Sequence, residues 1–217
     1  MNNAISVIIL AAGHSSRMNY PKSFLLFDNR RKFIEKIIDT YISSGIDDII
    51  LVINKSQEEK MRSILSKNYS SHQIKMVVNQ FPEKGRFYSI QQGLKNINNK
   101  ICFIQNIDNP FISKLLLNEM MKELTASNYV VPSYQNKNGH PVLLSNDVVQ
   151  YLLNLKRDDY NLRHELNHFL KTKINWEDEN ILANINSWEE YQKYFEKKDK
   201  SISSNHFYDI QKKIIYA

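Results

Sequence analysis

The sequence predicts an α/β protein: one mostly parallel, mixed sheet with helices packed on both faces. Short runs of β-branched and apolar residues at 5–10, 49–53, 74–78 and 101–104 alternate with stretches of helical periodicity, the spacing of parallel strands joined by crossover helices. Those strand runs are nearly continuous in apolar residues, as strands buried on both faces are. A chain of 217 residues, 42% hydrophobic, is long enough for one sizeable core and short for two domains.

Taken in order, the first run ends at Ala11-Ala12-Gly13, a strand passing into a loop, and loop chemistry fills 14–21. Phe33, Ile34, Ile37, Ile38, Tyr41 and Ile42 recur at helical spacing and stop at Gly45, a residue suited to a helix C-cap. The second strand follows at 49–53. Met61, Ile64 and Leu65 mark the next helix, ahead of a third strand at 74–78, a short helix at 90–97, a fourth strand at 101–104 and a helix at 114–124. Beyond it the pattern becomes irregular. Strands at 129–131 and 141–144 flank a turn at 135–139, which predicts an antiparallel or mixed edge, and helices are expected around 147–155, 162–170 and 187–195. Residues 1–197 read as the domain and 198–217 as a polar appendage.

Lys+Arg 29 against Asp+Glu 23 leaves a net charge of +6, which favours anionic partners. The bases are interleaved with acids, and no aromatic-interleaved basic block tracks a nucleic-acid backbone; small phosphorylated ligands fit that distribution better than nucleic acid. The single cysteine, Cys102, lies within an apolar run, so no intrachain disulfide forms and a reducing cytoplasm suits the chain. The longest apolar run is far short of the roughly 18 residues that would span a membrane. Met1-Asn2-Asn3-Ala4 lacks the basic start of a signal peptide, so neither membrane nor export is expected.

Only 5 glycines occur where about fifteen are usual, so their positions carry information. Gly13, Gly85, Gly93 and Gly139 all fall in or beside loops at the strand ends, where open parallel sheets bind ligands. Gly13 allows close approach of a ligand to the backbone, and the amides from Ala11 to Arg17 would then face phosphate oxygens, with Arg17 and Lys22 neutralising their charge. The segment is neither a Gly-x-Gly-x-x-Gly fingerprint nor a Gly-x-x-x-x-Gly-Lys-Ser/Thr loop. Asp108, just beyond the fourth strand, offers a hard carboxylate suited to Mg²⁺, or alternatively an Asx turn or cap ahead of Pro110. His140 reads as a phosphate donor or a turn residue before Pro141. Arg163 reads as a phosphate ligand or part of a solvated helix face with His164 and His168.

Leu10-Ala11-Ala12-Gly13-His14-Ser15-Ser16-Arg17-Met18, followed by Pro21-Lys22, resembles the signature of the MobA-like nucleotidyltransferases, the group that contains the molybdenum-cofactor cytidylyltransferases. Three further segments match in the same order: Gly85-Arg86-Phe87-Tyr88-Ser89-Ile90 with Gly93-Leu94, Gln105-Asn106-Ile107-Asp108-Asn109-Pro110-Phe111, and Gly139-His140-Pro141-Val142 with Leu162-Arg163 after it. The resemblance implies a Rossmann-like three-layer α/β/α nucleotidyltransferase fold. It implies that Leu10, Ala11, Ala12, Gly13, Ser15, Ser16, Arg17, Lys22, Gly85, Ser89 and Asp108 hold a nucleoside triphosphate, with Arg17, Lys22 and Asp108 catalytic. It implies Mg²⁺ on Asp108 and Asn184, and a phosphorylated acceptor on His140 and Arg163.

The implied reaction joins an NMP unit to the acceptor phosphate and releases pyrophosphate. Ala12 and Pro21-Lys22 resemble the cytidylyl branch, so CTP is favoured; the acceptor is molybdopterin or a sugar or polyol phosphate, and a partner protein would receive the product. Two departures stand out. Asn184-Ile185-Asn186-Ser187 replaces the family's usual Asp-Ile-Asp-Thr, and Asn19 stands where Gly is usual. The asparagines raise the alternative of a non-catalytic nucleotide- or molybdopterin-binding chaperone.

Overall fold

β1 (Ile5–Ala11) is buried from Ser6 onward because it runs through the middle of the sheet, with parallel neighbours on both edges. Those neighbours are β2 (Asp48–Asn54) and β4 (Ile101–Asn106), and β3 (Ile74–Asn79) extends the parallel part beyond β2. The other side is mixed. β7 (Val142–Leu144) runs antiparallel between β4 and β5 (Tyr129–Tyr134), β6 (Lys137–Asn138) folds back on β5, and β8 (Lys171–Asn175) pairs parallel to β5. The resulting order is β3-β2-β1-β4-β7-β5-β6, with β8 off that path on β5. The computed structural model describes residues 4–13, 15–70, 72–124, 127–157 and 160–195, so the proposed appendage at 198–217 lies outside the described residues.

Alternation along the strands divides the core between the two faces. Val7, Ile9 and Ala11 of β1 meet α1 (Phe33–Ser43), α2 (Glu58–Asn68), α4 (Lys114–Glu123) and α7 (Trp188–Phe195) on one face. Ile8 and Leu10 meet α3 (Gly85–Leu94), α5 (Asn146–Asn154) and α6 (Leu162–Glu165) on the other. This is the three-layer α/β/α arrangement the sequence predicts. No helix among the described residues is long and apolar enough to cross a membrane.

Three elements differ from the sequence prediction. α3 begins at Gly85, five residues earlier than the apolar spacing suggests, because its first turn projects into the cleft and buries little besides Phe87 and Ser89. Gly93 belongs to packing, not to a ligand loop: a Cβ there would lie 2.5 Å from Cγ2 of Ile8, so its absence lets α3 lie close on β1. The helix expected at 162–170 is only the four-residue α6 and a 3-10 turn at Leu166–His168, after which the chain becomes β8. Buried Leu162 and Leu166 share one helical face, but the alternation Lys171-Thr172-Lys173-Ile174 is that of a half-exposed strand, and pairing with β5 decides the outcome.

Candidate active site

The C-terminal ends of β1, β3 and β4 open into one cavity of about 500 Å³. The loop after β1 forms its floor. Ala11 and Ala12 are buried there, and the Ala11 carbonyl accepts from Gln57 Nε2 at 3.2 Å. The next turn closes on itself, the amides of Met18 and Asn19 both donating to the Ser15 carbonyl at 3.0 and 3.1 Å. Ser15 and Asn19 take left-handed φ of 49° and 48°. Asparagine tolerates that conformation better than most residues, so Asn19 fits where the family pattern has Gly. The Met18 carbonyl accepts from Trp188 Nε1 of α7 at 3.2 Å, which ties the loop to the far end of the chain. Gly13, Ser15 and Arg17 line the cavity; Ser16, expected among the nucleotide ligands, is exposed and outside its lining.

Lys22 opens a 3-10 turn, and its ammonium donates to Asp108 Oδ2 at 3.2 Å and to Asn186 Oδ1. Asp108 follows β4, and its carbonyl accepts from the Ile185 amide at 3.0 Å, which joins the two segments that meet Lys22. Behind Asp108 the chain is fixed by buried amides. Gln105 Nε2 donates to the carbonyls of Asn106 and Asn109, each at 2.8 Å, while Asn109 Nδ2 donates to the Ile181 carbonyl at 2.8 Å. Asn186 is set by a capping box at the start of α7: the Glu190 amide donates to Ser187 Oγ at 3.2 Å, and the Ser187 amide donates to Glu190 Oε2 at 3.1 Å. Asn184 lines the cavity but is exposed and lies outside this triad; it is Asn186 that reaches Lys22.

A second chain of contacts closes the cavity on the side away from Lys22. Arg86 Nη2 donates to Asn106 Oδ1 at 2.9 Å, and Asn106 Nδ2 lies 3.1 Å from His140 Nε2. A guanidinium can only donate, so Asn106 must present its amide hydrogens to His140, and Nε2 accepts. The ring proton then sits on Nδ1, which is buried without a partner among the described residues. Burial, with Arg86 nearby, pushes His140 down to about 4, so the ring is neutral at neutral pH. His140 lines the cavity as expected, yet its Nε2 is taken up by Asn106 and its Nδ1 is buried, leaving Arg86 as the donor at this junction. Gly139 makes the geometry possible. A Cβ there would lie 2.7 Å from the Ile181 carbonyl, the group to which His140 donates its amide at 3.1 Å.

Beyond Arg86 and His140 lies a larger cavity of about 980 Å³, sharing Gly85, Arg86, Asn138, Gly139 and His140 with the first. Arg163, exposed on α6, lines this second space and not the first. Ser89 lines the first cavity, where its hydroxyl accepts from Asn79 Nδ2 at 2.9 Å.

Over residues 7–174 the chain matches the model of the MobA-like NTP transferase domain. It belongs to that family. Among curated proteins, a probable molybdenum cofactor guanylyltransferase of Clostridium perfringens is 30% identical over 133 residues, 61% of either chain. A 2-C-methyl-D-erythritol 4-phosphate cytidylyltransferase of Clostridioides difficile is 31% identical over 121 residues, 54% of this chain and 50% of that protein. The chain thus spans between half and about three fifths of the length of these relatives. A nucleotidyl transferase structure from Methanothermobacter superposes with a TM-score of 0.73 at 20% identity, covering 91% of this chain and 98% of the other. A Mycobacterium tuberculosis protein solved as a manganese complex superposes at 0.68 with 19% identity, covering 88% and 98%.

Within this MobA-like domain, Asp108 is the one carboxylate among the described residues lining the first cavity, facing Arg17, Lys22 and Arg86. A single carboxylate with amide oxygens beside it suits a cation held chiefly by phosphate oxygens and water, as Mg²⁺ often is. Two members of the site escaped sequence reasoning. Arg86 stands inside a quoted motif, but its role depends on Asn106, 20 positions away. Asn186 is placed by Ser187-x-x-Glu190, a readable capping signal.

Proposed function

We propose that the chain is a nucleotidyltransferase that transfers an NMP unit from a nucleoside triphosphate to a phosphorylated small molecule and releases pyrophosphate. The observation that carries this reading is the pair of joined cavities, with Lys22 and Asp108 in the first and Arg86 at the junction. The triphosphate occupies the first cavity along the 10–17 loop, and the acceptor enters from the second past Arg163. An acceptor phosphate oxygen attacks the α-phosphorus, the bond between that phosphorus and the bridging oxygen breaks, and pyrophosphate leaves with the electron pair. Arg17 and Lys22 neutralise charge on the transferring and leaving oxygens, and Arg86 draws the acceptor phosphate to the junction. Mg²⁺, when bound, screens the triphosphate's negative charge, and Asp108 with Asn184 would hold it. Nucleotide binding requires Lys22 to exchange its ion pair with Asp108 for phosphate oxygens.

CTP is the favoured nucleotide because Ala12 is buried at the cavity floor, where a purine's second ring would meet its methyl group. A second reading, GTP, is favoured by the guanylyltransferase name of the Clostridium perfringens relative and by the Asn184–Asn186 pair, which the guanylyl branch can carry. A cytoplasmic setting suits either, with Cys102 buried and its thiol pushed up by that burial. Pyrophosphate release from each of the four NTPs, crossed with molybdopterin, 2-C-methyl-D-erythritol 4-phosphate and a hexose 1-phosphate, tests the proposal. Release with CTP at least tenfold above GTP supports the cytidylyl reading, equal or reversed rates support GTP, and nucleotide binding without release supports a chaperone.

A further inference from the structure

The outer wall of the second cavity is basic, formed by β8 just after the segment expected as a helix and by β6. Tyr129 and Val131 of β5 face the same core as Phe87 and Val142, and their partners across the sheet are Lys171 and Lys173 of β8. Paired residues share a face, so both lysines stand beside the aromatic floor of this cavity, and Lys137 joins them from β6. No Asp or Glu is among the described residues lining the cavity. None of the three lysines forms an ion pair with a described residue. Asn106, which holds Arg86, ends β4 level with Asn175 of β8, so three strand spacings across the sheet and two residues along the strand separate it from Lys173, about 16 Å between backbones.

We propose that Lys137, Lys171 and Lys173 form a second anion subsite, so that the molecule entering this cavity carries two anionic groups about 16 Å apart on an apolar or aromatic body. One group meets Arg86 and reacts; the other is anchored on β8 while the body rests on Phe87, Tyr129 and Tyr160. Naming this molecule the acceptor rests on the transferase reading above; the subsite itself does not. A lone phosphate gains little from three exposed lysines, whereas two tethered phosphates bind as one ligand, the second at high effective concentration.

Calorimetric titration of the full chain with 1,10-decanediol bisphosphate and with 1,10-decanediol monophosphate tests the subsite, in the parent and in the Lys171→Gln/Lys173→Gln variant. The bisphosphate should bind the parent at least tenfold more tightly, and the variant should lose that advantage while keeping its monophosphate and NTP affinities, which also reports an intact fold. Equal affinities in the parent, no binding of either probe, or an advantage retained by the variant overturns the subsite and leaves these lysines as protection of the exposed sheet edge. The expected bisphosphate pattern without pyrophosphate release from any NTP keeps the subsite and removes the transferase reading. Release without the bisphosphate advantage does the reverse.

Discussion

At the scale of single residues, Lys22 is anchored in the cavity between a carboxylate and an amide oxygen, partners it would give up for phosphate oxygens when a nucleotide binds. Once moved onto the phosphates, a donor aimed at developing charge stabilises the transition state, and losing one typically lowers the rate by about 10²-fold. Lys22→Ala and Asp108→Asn should each lower kcat by about that factor with a smaller change in nucleotide Kd, read from steady-state kinetics at saturating Mg²⁺. Parental kcat in both variants would reduce the pair to a structural ion pair. His140 makes a different prediction, because its pKa falls from 6.5 unfolded to about 4 folded. Between those values the unfolded chain binds a proton the folded chain refuses, so stability is lost as pH falls from about 6.5 towards 4. Melting temperature followed against pH in that window should fall less steeply for His140→Gln than for the parent, and parallel curves would contradict the burial of a neutral ring. That Arg17, Lys22 and Asp108 share one cavity was readable because each lies in a short motif at a strand end. Arg86 was not, since its neighbours Asn106 and His140 come from two other strand ends.

At the scale of elements, β1, β2 and β4 were legible because strands buried on both faces need apolar residues throughout, and the half-buried edge strand β3 still carries Ile74, Met76, Val77 and Val78. The edge was less so. β8 buries only one side, its lysines belong to a cavity wall, and its identity depends on β5 having an open edge to pair with. The segment from Gly139 to His140 shows how an element can depend on one missing side chain. Gly139→Ala would bring a Cβ within 2.7 Å of the Ile181 carbonyl, and the backbone must shift to relieve it. The expected loss is about 1–3 kcal/mol in chemical denaturation, together with a higher acceptor KM because His140, Asn106 and Arg86 move with the loop. Unchanged stability and KM would mean that the Ile181 segment yields freely and does not position the junction.

For the molecule as a whole, a net charge of +6 and an inner cavity with Arg17, Lys22 and Arg86 around one carboxylate should draw polyanions from a distance. Raising salt from about 0.05 M to about 0.5 M shortens the screening length from roughly 14 Å to 4 Å, so the nucleotide association rate should fall roughly tenfold with little change in dissociation. An association rate indifferent to salt would assign the charge surplus to solubility. The proposed reaction breaks the bond between the α- and β-phosphates, with the acceptor phosphate at Arg86 as the nucleophile. The most direct measurement follows two labels in the nucleotide, one at the α- and one at the γ-phosphate, with the best acceptor found. Expected are α-label in the acceptor product and γ-label in pyrophosphate; γ-label in the acceptor, or both labels remaining in intact nucleotide, would rule this reaction out.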